Sequence, residues 1–414
     1  MNILFTYITP FHPKRGGIGR VTDSLTREFL RRGHKVYYLI YPSYMHPLGV
    51  TDTEKFDFPV PILYTPSKDL MSEENVQFYF NFLQDRQIDV VINQSGTNAD
   101  SFLWIKSCEI GIPVISCVHQ SPVAYYIWEG SVMPLRNDTL IEKVKRIARM
   151  ILYPSTKRKY LKSNFNHYQR LIPQTTILCL LSENYFGHFD RLNLNIDYSC
   201  KLCAIPNPNS YSNINNVNFR NKKKRLLYVG LLNRGKGSQW LIEIWKRLYK
   251  QFKDWEFVVV GTGEAGYLQR LKRLARTLPR MRFEGLQDPQ QYYMEASILC
   301  MTSINEGWGM VLTEAMQCGC VPMAFDSFGA LRDIIEHGRN GLIVKPFDIK
   351  DYTRELCRLM NDTEYREKLA ANARQDVQKF SVEKVADQWE TLFRLINKNQ
   401  SNEVSDNGSI FDPR

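Results

Sequence analysis

Short apolar runs alternate with longer helical patterns along most of this chain of 414 residues, and this alternation restricts the fold more than any other feature. Runs rich in β-branched and aromatic residues predict strands, and apolar residues every three or four positions predict helices. The first half contains predicted strands at 3–7, 35–40, 89–93 and 113–118, and predicted helices at 18–32, 73–87 and 100–109. Strands joined through helices lie parallel, so this order predicts an α/β fold with a parallel sheet.

The same order begins again after a polar linker at residues 207–225. The second half contains predicted strands at 226–229, 257–260, 282–284, 298–302 and 321–325, and predicted helices at 238–252, 290–296 and 310–318, with a further helix ending at Pro279. Two consecutive doubly wound α/β domains are therefore expected, with the ligand outside the carboxyl ends of the strands.

The predicted domain boundaries follow from this order. We expect an N-terminal Rossmann-like domain at 1–206, a C-terminal Rossmann-like domain at 207–380, and a helix at 381–397 that returns to the first domain. The tail at 398–414 is polar and rich in Asn, Ser and Asp, a composition that predicts disorder.

A segment from Asn305 to Gly319 places two carboxylates and two glycines where a predicted strand joins a helix. Gly307 and Gly309 let backbone approach a ligand closely, because neither has a Cβ atom. The N–H groups at the start of the helix then favour an anion, ideally a diphosphate. Glu306 and Glu314 can face the same ligand at different depths and accept hydrogen bonds from sugar hydroxyls.

This segment resembles the signature of the family-4 retaining glycosyltransferases. Seven residues separate Glu306 from Glu314, with Gly-Trp-Gly after the first glutamate and Ala-Met after the second. The resemblance extends from the first strand to about residue 397. It implies the GT-B fold, in which two Rossmann-like domains face each other across a cleft, with the acceptor on the N-terminal side and the nucleotide sugar on the C-terminal side.

The resemblance also implies roles for individual residues. Glu306 would bind the hydroxyls of the donor sugar, and Glu314 would bind the nucleotide ribose. The diphosphate would meet the backbone of five successive residues, Gly307, Trp308, Gly309, Met310 and Val311.

A second glycine-rich loop, 230–237, resembles the phosphate loop of the same family. Lys236 matches the family's lysine, and it would act with Glu306 and His119 as a catalytic residue. The family usually has arginine directly after the first glycine, but this chain has Leu231 there, so Arg234 is the candidate replacement. Two fixed cations at a leaving diphosphate would stabilise the charge that develops there.

Three further sites follow from the resemblance. Gly16 and Gly17 would approach the donor phosphate and the acceptor, and His119, at the end of a predicted strand, would lie near the donor sugar. A structural histidine at the strand end is the alternative for His119. The nucleotide base would lie near Glu284 and Leu286.

The charge balance favours anionic partners. The chain has 54 Lys and Arg against 43 Asp and Glu, a net charge of +11. Residues 143–162 contain eight basic and no acidic side chains, and 142–153 have the pattern of an amphipathic helix. This composition suits anionic lipid headgroups, and an ordinary solvated face is the alternative. Nucleic acid is less favoured, because no known binding module frames these residues.

Cysteine usage and apolar runs bear on the compartment. Nine scattered cysteines suit a reducing compartment, and Cys200 with Cys203 forms only half of a zinc pattern. No apolar run approaches the length that spans a bilayer. We expect a cytoplasmic chain compatible with peripheral contact at the inner face of the cell membrane.

Together these features predict a metal-independent retaining glycosyltransferase without a cofactor. It would move a sugar from a UDP-hexose or GDP-mannose type donor to a glycan or lipid-linked acceptor, in surface polysaccharide synthesis. No Asp-x-Asp metal motif occurs in the chain. The alternatives are a non-hydrolysing nucleotide-sugar 2-epimerase and a silent nucleotide-sugar-binding protein. A Rossmann dehydrogenase is disfavoured, since both halves lack the full glycine fingerprint.

Overall fold

The computed structural model describes residues 1–13, 16–41, 57–123, 140–211, 214, 217 and 219–403. Two compact units make up the chain, and each is built on its own parallel sheet. The first unit comprises residues 1–123, 161–210 and 380–414, and the second comprises 124–160 and 211–379. The predicted boundary at residue 206 lies four residues before the end of the first unit's middle segment.

The first sheet has seven parallel strands in the order β3-β2-β1-β4-β5-β6-β7. These strands are β1 (Asn2–Tyr7), β2 (Lys35–Ile40), β3 (Ile62–Tyr64), β4 (Val90–Asn93), β5 (Val114–Val118), β6 (Ile177–Leu180) and β7 (Leu202–Ala204). The helices before residue 123 are α1 (Gly17–Arg31), α2 (Glu73–Asp85) and α3 (Ser101–Trp104). Strand β1 is central and pairs with β2 and β4, and Ile3, Leu4 and Phe5 are fully buried. Helices cover both faces of such a sheet, which explains the continuous apolar runs.

Two further helices connect or follow these elements. They are α4 (Leu140–Gln174) and the short α5 (Gly187–Asp190). The predicted helix at 142–153 is thus only the first part of a 35-residue helix, and the expectation that it ends at Tyr153 is wrong. Pro154 lies inside α4, although proline removes a backbone donor and usually disfavours a helix interior.

The second sheet has six parallel strands in the order β10-β9-β8-β11-β12-β13. These strands are β8 (Lys223–Val229), β9 (Glu256–Val260), β10 (Met281–Gly285), β11 (Ala296–Met301), β12 (Val321–Phe325) and β13 (Leu342–Val344). The associated helices are α6 (Gln239–Leu248), α7 (Ala265–Ala275), α8 (Gln290–Glu295), α9 (Met310–Gln317), α10 (Leu331–Ile334), α11 (Ile349–Asn361) and α12 (Thr363–Asp376). Their apolar side chains form one core that includes Trp240, Trp245 and Tyr352.

The two doubly wound parallel sheets confirm the predicted fold class. The predicted elements lie within a few residues of the observed ones, except that 100–109 is α3 followed by a 3₁₀ helix, Ile105–Ile110. Strands β3, β6, β7 and β13 were not predicted, because three or four residues are too few to establish a period of two.

The last helix, α13 (Val382–Glu403), belongs to the first unit and packs on α1. Arg32 donates to the carboxylates of Asp387 and Glu390 at 2.7 and 3.0 Å. The rings of Phe29 and Phe393 lie 5.9 Å apart between centroids. The helix continues to Glu403, so the prediction of disorder from residue 398 is wrong for 398–403, and 404–414 lie outside the described residues.

We predict that Phe393→Ala lowers the free energy of unfolding of the first unit by about 3–5 kcal/mol, because it leaves a cavity under α13. Leu395→Ala is the matched control on the same helix, since Leu395 is 42% exposed, and it should change stability by less than about 0.5 kcal/mol. Urea unfolding of the full chain measures both. Equal effects of the two substitutions would contradict the packing of α13 described above.

Candidate functional site

The carboxyl ends of β8 and β9 carry two glycine-containing loops that are hydrogen-bonded to each other. Gly230 N donates to Val260 O at 3.0 Å, and Leu232 N donates to Thr262 O at 2.8 Å. The contact requires glycine on the β9 side, because a Cβ atom at Gly261 would lie 1.9 Å from Gly230 O. The loop 230–237 is therefore held along its first three residues by close backbone contacts with the loop after β9.

The other end of the same loop is fixed against the end of β11. Gly237 has φ +62°, and a Cβ atom there would lie 1.9 Å from Thr302 O, so only glycine fits. The Thr302 hydroxyl donates to the carbonyls of Lys236 and Gly237 at 3.2 and 3.1 Å. Ile304 N also donates to Gly235 O at 2.9 Å, so the two loops form one continuous backbone arrangement.

This arrangement brings Lys236 and Glu306 together. Lys236 Nζ lies 2.5 Å from Glu306 Oε1, which also accepts a hydrogen bond from the Ser303 hydroxyl at 2.7 Å. The side chains are partly exposed, 32% for Lys236 and 14% for Glu306. A partly open ion pair at the carboxyl edge of a parallel sheet can exchange part of its contact for a ligand that carries both anionic and hydroxyl groups.

Tyr228 and Ser303 also belong to this site, and neither was predicted from the sequence. Burial raises the pKa of Tyr228 well above its usual value, and the negative charge of the nearby Glu306 adds to the effect. The Tyr228 hydroxyl donates to Leu231 O at 2.8 Å, which supports the start of the phosphate-type loop. Single polar residues at a strand end carry no spacing pattern, so no sequence signal indicated them.

Glu306, Gly307 and Trp308 lead into helix α9, which begins at Met310. Gly309 caps this helix with φ +84°, a left-handed conformation that favours glycine, and Met310 and Val311 form its first turn. Backbone N–H groups at such a helix start lack intrahelical partners and can bind an anion. The predicted diphosphate-contacting backbone is thus a helix N-terminus adjoining the Lys236–Glu306 pair.

Glu314 lies further along α9 and is only 1% exposed. Its Oε2 atom accepts a hydrogen bond from the Tyr293 hydroxyl at 2.9 Å. Glu306 therefore lies on the loop and Glu314 on the helix that follows it, and Glu314 is the more deeply buried of the two, so they lie at different depths as the spacing predicts. Tyr293 is a further residue that the sequence did not indicate.

The remaining predicted residues of the second unit lie in the loop after β8 and at the end of β10. Leu231, where the family usually has arginine, is 56% exposed. Burial raises the pKa of Tyr267, and the positive charge of Arg234 opposes this rise. Arg234 therefore lies near Tyr267. Glu284 lies near the end of β10 and Leu286 follows that strand, and Glu284 forms an ion pair with Arg282 at 3.6 Å.

Three predicted residues belong to the first unit. Gly16, at φ +151°, caps α1, and Gly17 is its first residue. His119 follows β5, and its Nε2 atom lies 2.5 Å from Gln94 Oε1, while Gln94 Nε2 donates to the Thr22 hydroxyl of α1 at 3.2 Å. Burial lowers the pKa of His119 to about 4, so its ring is neutral near pH 7. A neutral ring that donates from Nε2 keeps Nδ1 as an acceptor.

Among the residues that the structure describes, no group of three or more His, Cys, Asp or Glu side chains could hold a metal ion. Cys117, Cys179 and Cys203 lie in register on β5, β6 and β7 with free thiols.

Comparison with protein families accounts for both units. Residues 211–376 match the family model described as glycosyl transferases group 1, and residues 15–167 match the model described as glycosyltransferase family 4. The chain belongs to the group 1, family 4 glycosyltransferases. The family-level prediction made from the glutamate-containing segment is therefore confirmed.

Individual glycosyltransferases resemble the chain at low identity. An uncharacterized glycosyltransferase of Haemophilus influenzae is 29% identical over 195 residues, which are 46% of this chain and 54% of that protein. The amylovoran biosynthesis glycosyltransferase AmsD of Erwinia amylovora is 28% identical over 224 residues, 54% of this chain and 62% of AmsD. The chain thus spans about half to three fifths of the length of these relatives.

Solved structures of glycosyltransferases share the fold. The structure of HepE from Anabaena in complex with UDP and glucose has a TM-score of 0.67 at 17% identity, and the match covers 95% of this chain and 99% of HepE. A glycosyltransferase from Rickettsia africae has a TM-score of 0.69 at 16% identity, covering 96% of this chain and 99% of that one. The likeness supports assignment of the two Rossmann-like units to the GT-B class.

We predict that Gly237→Ala destabilises the second unit by about 2 kcal/mol or more. Alanine would have to adopt a left-handed backbone conformation, and its Cβ atom would clash with the Thr302 carbonyl oxygen. Gly235→Ala is the matched control in the same loop, where a Cβ atom would make only an ordinary contact with Asn233. Thermal unfolding of the two variants is the measurement. Equal stability would contradict the backbone contact at Gly237.

Proposed function

We propose that this glycosyltransferase transfers a hexose from a nucleotide diphosphate sugar to an acceptor hydroxyl and retains the anomeric configuration. The observation that carries the proposal is the Lys236–Glu306 pair at the start of α9, which lies within the matched group 1 region. It combines a cation and the backbone of a helix N-terminus for a diphosphate with a carboxylate for sugar hydroxyls.

The diphosphate is the leaving group in this proposal, and its charge is stabilised by the chain itself. Lys236 and the N-terminus of α9 supply positive charge and hydrogen-bond donors at fixed positions. Such preorganised groups stabilise charge that develops in the transition state more than they stabilise the bound substrate. Arg234 is a second cation in the same loop. We therefore propose that the reaction needs no divalent metal.

The two glutamates divide the recognition of the donor. Glu306 is partly exposed and accepts hydrogen bonds from the hydroxyls of the donor sugar, and Glu314 accepts hydrogen bonds from the hydroxyls of the nucleotide ribose. Since Glu314 is buried in the structure, ribose binding requires a local adjustment that opens its carboxylate. The base lies near Glu284 and Leu286.

Retention follows a front-side route in this proposal. The bond between the anomeric carbon and the phosphate oxygen breaks, and the acceptor oxygen bonds to the same face of that carbon. The acceptor proton passes to the departing phosphate oxygen. No carboxylate nucleophile is required, in contrast to retaining glycosidases. The neutral His119 places an acceptor atom, Nδ1, for a hydroxyl of the donor sugar.

The proposed biological setting is the synthesis of a surface polysaccharide or a lipid-linked glycan. Amylovoran biosynthesis by AmsD supports the first setting, and UDP with glucose in HepE supports a UDP-sugar donor. GDP-mannose remains the second donor class to be tested.

The experiment incubates the protein with UDP-glucose, UDP-galactose, UDP-N-acetylglucosamine or GDP-mannose, with and without a pool of lipid-linked and free glycans, and in EDTA. We expect acceptor-dependent nucleotide release in EDTA and an α-linked product by NMR. Conversion of the donor sugar to its 2-epimer without an acceptor would instead identify an epimerase. Nucleotide binding without any turnover would identify a silent binding protein.

Within that assay, we predict that Lys236→Ala lowers kcat by about a hundredfold or more and changes the acceptor KM little, because its charge is needed as the sugar–phosphate bond breaks. Lys250→Ala, an exposed lysine after α6, is the control and should leave kcat unchanged. Unchanged turnover in the Lys236 variant would remove that residue from the proposed site.

We also propose that residues 140–162 of α4 bind an anionic membrane surface. Five apolar side chains of this helix are more than half exposed, Val144, Ile147, Met150, Ile151 and Leu152, and Ile151 reaches 73%. Exposed lysines and arginines of the same helix surround them. Cations attract the helix to anionic lipid, and burial of the apolar side chains then holds it at the interface. None of the described helices is both long and apolar enough to cross a bilayer.

The membrane proposal is tested by neutralising four exposed cations of this segment, Lys143, Lys145, Arg158 and Lys159, to Gln. At about 1 kcal/mol for each cation, the loss is about 4 kcal/mol, or roughly a thousandfold in partitioning onto anionic vesicles. Co-sedimentation with vesicles of phosphatidylglycerol and phosphatidylcholine measures it.

The matched control neutralises four exposed cations near the end of α6, Lys246, Arg247, Lys250 and Lys253, and should sediment like the parent. A further variant, Ile147→Ser with Ile151→Ser, should weaken binding even at low salt, where cations alone act most strongly. Equal sedimentation of the parent and the neutralised α4 variant would rule out the proposed surface.

A further inference from the structure

Lys236 lies between two glycines, Gly235 and Gly237, in the loop after β8. Glycine gives the backbone more conformational freedom than any other residue, so these neighbours do not by themselves fix the direction of the lysine side chain. The proposed chemistry nevertheless needs the ammonium at a fixed place beside Glu306. Contacts from outside this tripeptide therefore decide where the lysine side chain points.

The N–H group of Lys236 is held by the side chain of Asn233. Asn233 Oδ1 accepts a hydrogen bond from Lys236 N at 2.8 Å. A backbone N–H only donates, and the oxygen is the acceptor of a carboxamide, so this bond also fixes the orientation of the amide. Asparagine side chains commonly close local turns in this way. The bond spans Arg234 and Gly235, and it holds the peptide unit that precedes Lys236.

The carbonyl group of Lys236 is held by another loop. The hydroxyl of Thr302, which follows β11, donates to Lys236 O at 3.2 Å. The peptide units before and after the lysine are thus both held, one by Asn233 and one by Thr302. Because each peptide unit is planar, fixing both leaves one direction for the Cα–Cβ bond of Lys236. From this position, Lys236 Nζ lies 2.5 Å from Glu306 Oε1.

Asn233 is itself anchored, although it is an exposed residue. Its carbonyl oxygen accepts a hydrogen bond from the Ser238 hydroxyl at 3.0 Å, and Ser238 is only 1% exposed. Ser238 Oγ lies 3.4 Å from the hydroxyl of Tyr267, which donates to Gln239 Oε1 at 2.6 Å. Gln239 begins α6, and Tyr267 lies in the first turn of α7. The carboxamide of Asn233 therefore extends from a backbone position that is connected to both helices.

We propose that Asn233 is a positioning residue for the transfer reaction, and that its carboxamide holds Lys236 so that the ammonium meets the leaving diphosphate. This inference rests on the proposed function, because it assigns the residue that places the cation of that reaction. Asn233 acts through Lys236, and no contact between Asn233 and the donor is required.

We expect Asn233→Ala to lower kcat about tenfold, which corresponds to about 1.4 kcal/mol, the net contribution of one good neutral hydrogen bond. The loss is smaller than that expected for Lys236→Ala, because the ammonium remains on the chain. A fixed charge stabilises a developing charge best when it is preorganised, so a lysine that samples several positions stabilises the leaving diphosphate less.

The test is a double-mutant cycle on the full chain, with the donor and acceptor that the transfer assay identifies. It compares the parent, Asn233→Ala, Lys236→Ala and the double variant. Asn233→Ala should lower kcat about tenfold in the parent but less than about twofold in the Lys236→Ala background, because residues that act through one contact are not additive. The acceptor KM should change little. A residue that only supports the fold would lower kcat equally in both backgrounds.

Gln251→Ala is the control, since Gln251 is an exposed amide after α6, and it should leave kcat unchanged in both backgrounds. Asn233→Ala should unfold near the temperature of the parent, because Ser238 bonds a backbone oxygen that the substitution retains. Calorimetry with UDP and with GDP repeats the cycle without turnover. Asn233→Ala should weaken binding of the nucleotide that the parent binds, and only where Lys236 is present.

Two outcomes would overturn the inference: Asn233→Ala transfers sugar at the parent rate, or its loss of kcat is the same with and without Lys236. If the parent transfers sugar and either outcome is found, only this inference fails. If the parent binds nucleotide without turnover, the calorimetric cycle decides by the same criterion. If the parent neither binds nucleotide nor transfers sugar, the proposed function fails, and this inference fails with it.

Discussion

The close approach of two backbone segments at Gly237 and Thr302 determines the geometry of the second unit's site. A Cβ atom at Gly237 would lie 1.9 Å from the Thr302 carbonyl oxygen, so the two backbones approach directly, and the Thr302 hydroxyl adds hydrogen bonds to the carbonyls of Lys236 and Gly237. The strand end of β11 therefore fixes where the loop after β8 can run. Lys236 precedes Gly237, and Glu306 follows Thr302 by four residues, so one backbone contact fixes the distance between a cation and an anion from different loops.

The first unit fixes its polar edge by a different means, namely side-chain hydrogen bonds. Gln94 connects the ring of His119 to Thr22 of α1, and Asn93 connects Ser95 to the neighbouring strand through Ser116. Amide side chains suit this role because each can donate and accept at once. The two units thus fix their edges by different means, the first through amide side chains and the second mainly through close backbone contacts.

Much of this organisation could be read from the sequence, and the parts that could not share a physical reason. Some segments keep the apolar spacing of a helix or of a strand along their whole length, so the sequence predicts their type. The helix that begins at Gly17 and the strand Lys35–Ile40 are examples. The three-residue strands β3 and β7 exist only because longer neighbours offer them hydrogen bonds, which is a tertiary effect. The predicted helix at 142–153 stops before Pro154, whereas α4 continues through it.

The site shows the same division. Glu306 was predicted from a glycine-flanked segment between a strand and a helix, and Lys236 from the resemblance of its loop to the family's phosphate loop. The structure places the two side chains in contact. Tyr228 and Ser303 carry no such spacing, and only the fold brings them to the same place. Predicted roles of His119 and Glu314 remain predictions, since their burial and hydrogen bonds describe position rather than chemistry.

The return of the last helix, α13, to the first unit has a consequence for how the protein is made. On a ribosome, the strands of the first sheet emerge before those of the second, yet the surface of α1 that carries Phe29 and Arg32 has no cover until residues 382–403 have been synthesised. The second sheet, in contrast, is formed by one uninterrupted stretch from β8 to β13. Domains usually complete their folding in the order of synthesis. In this chain, the first unit has all of its elements only once α13 has been synthesised, after every strand of the second sheet.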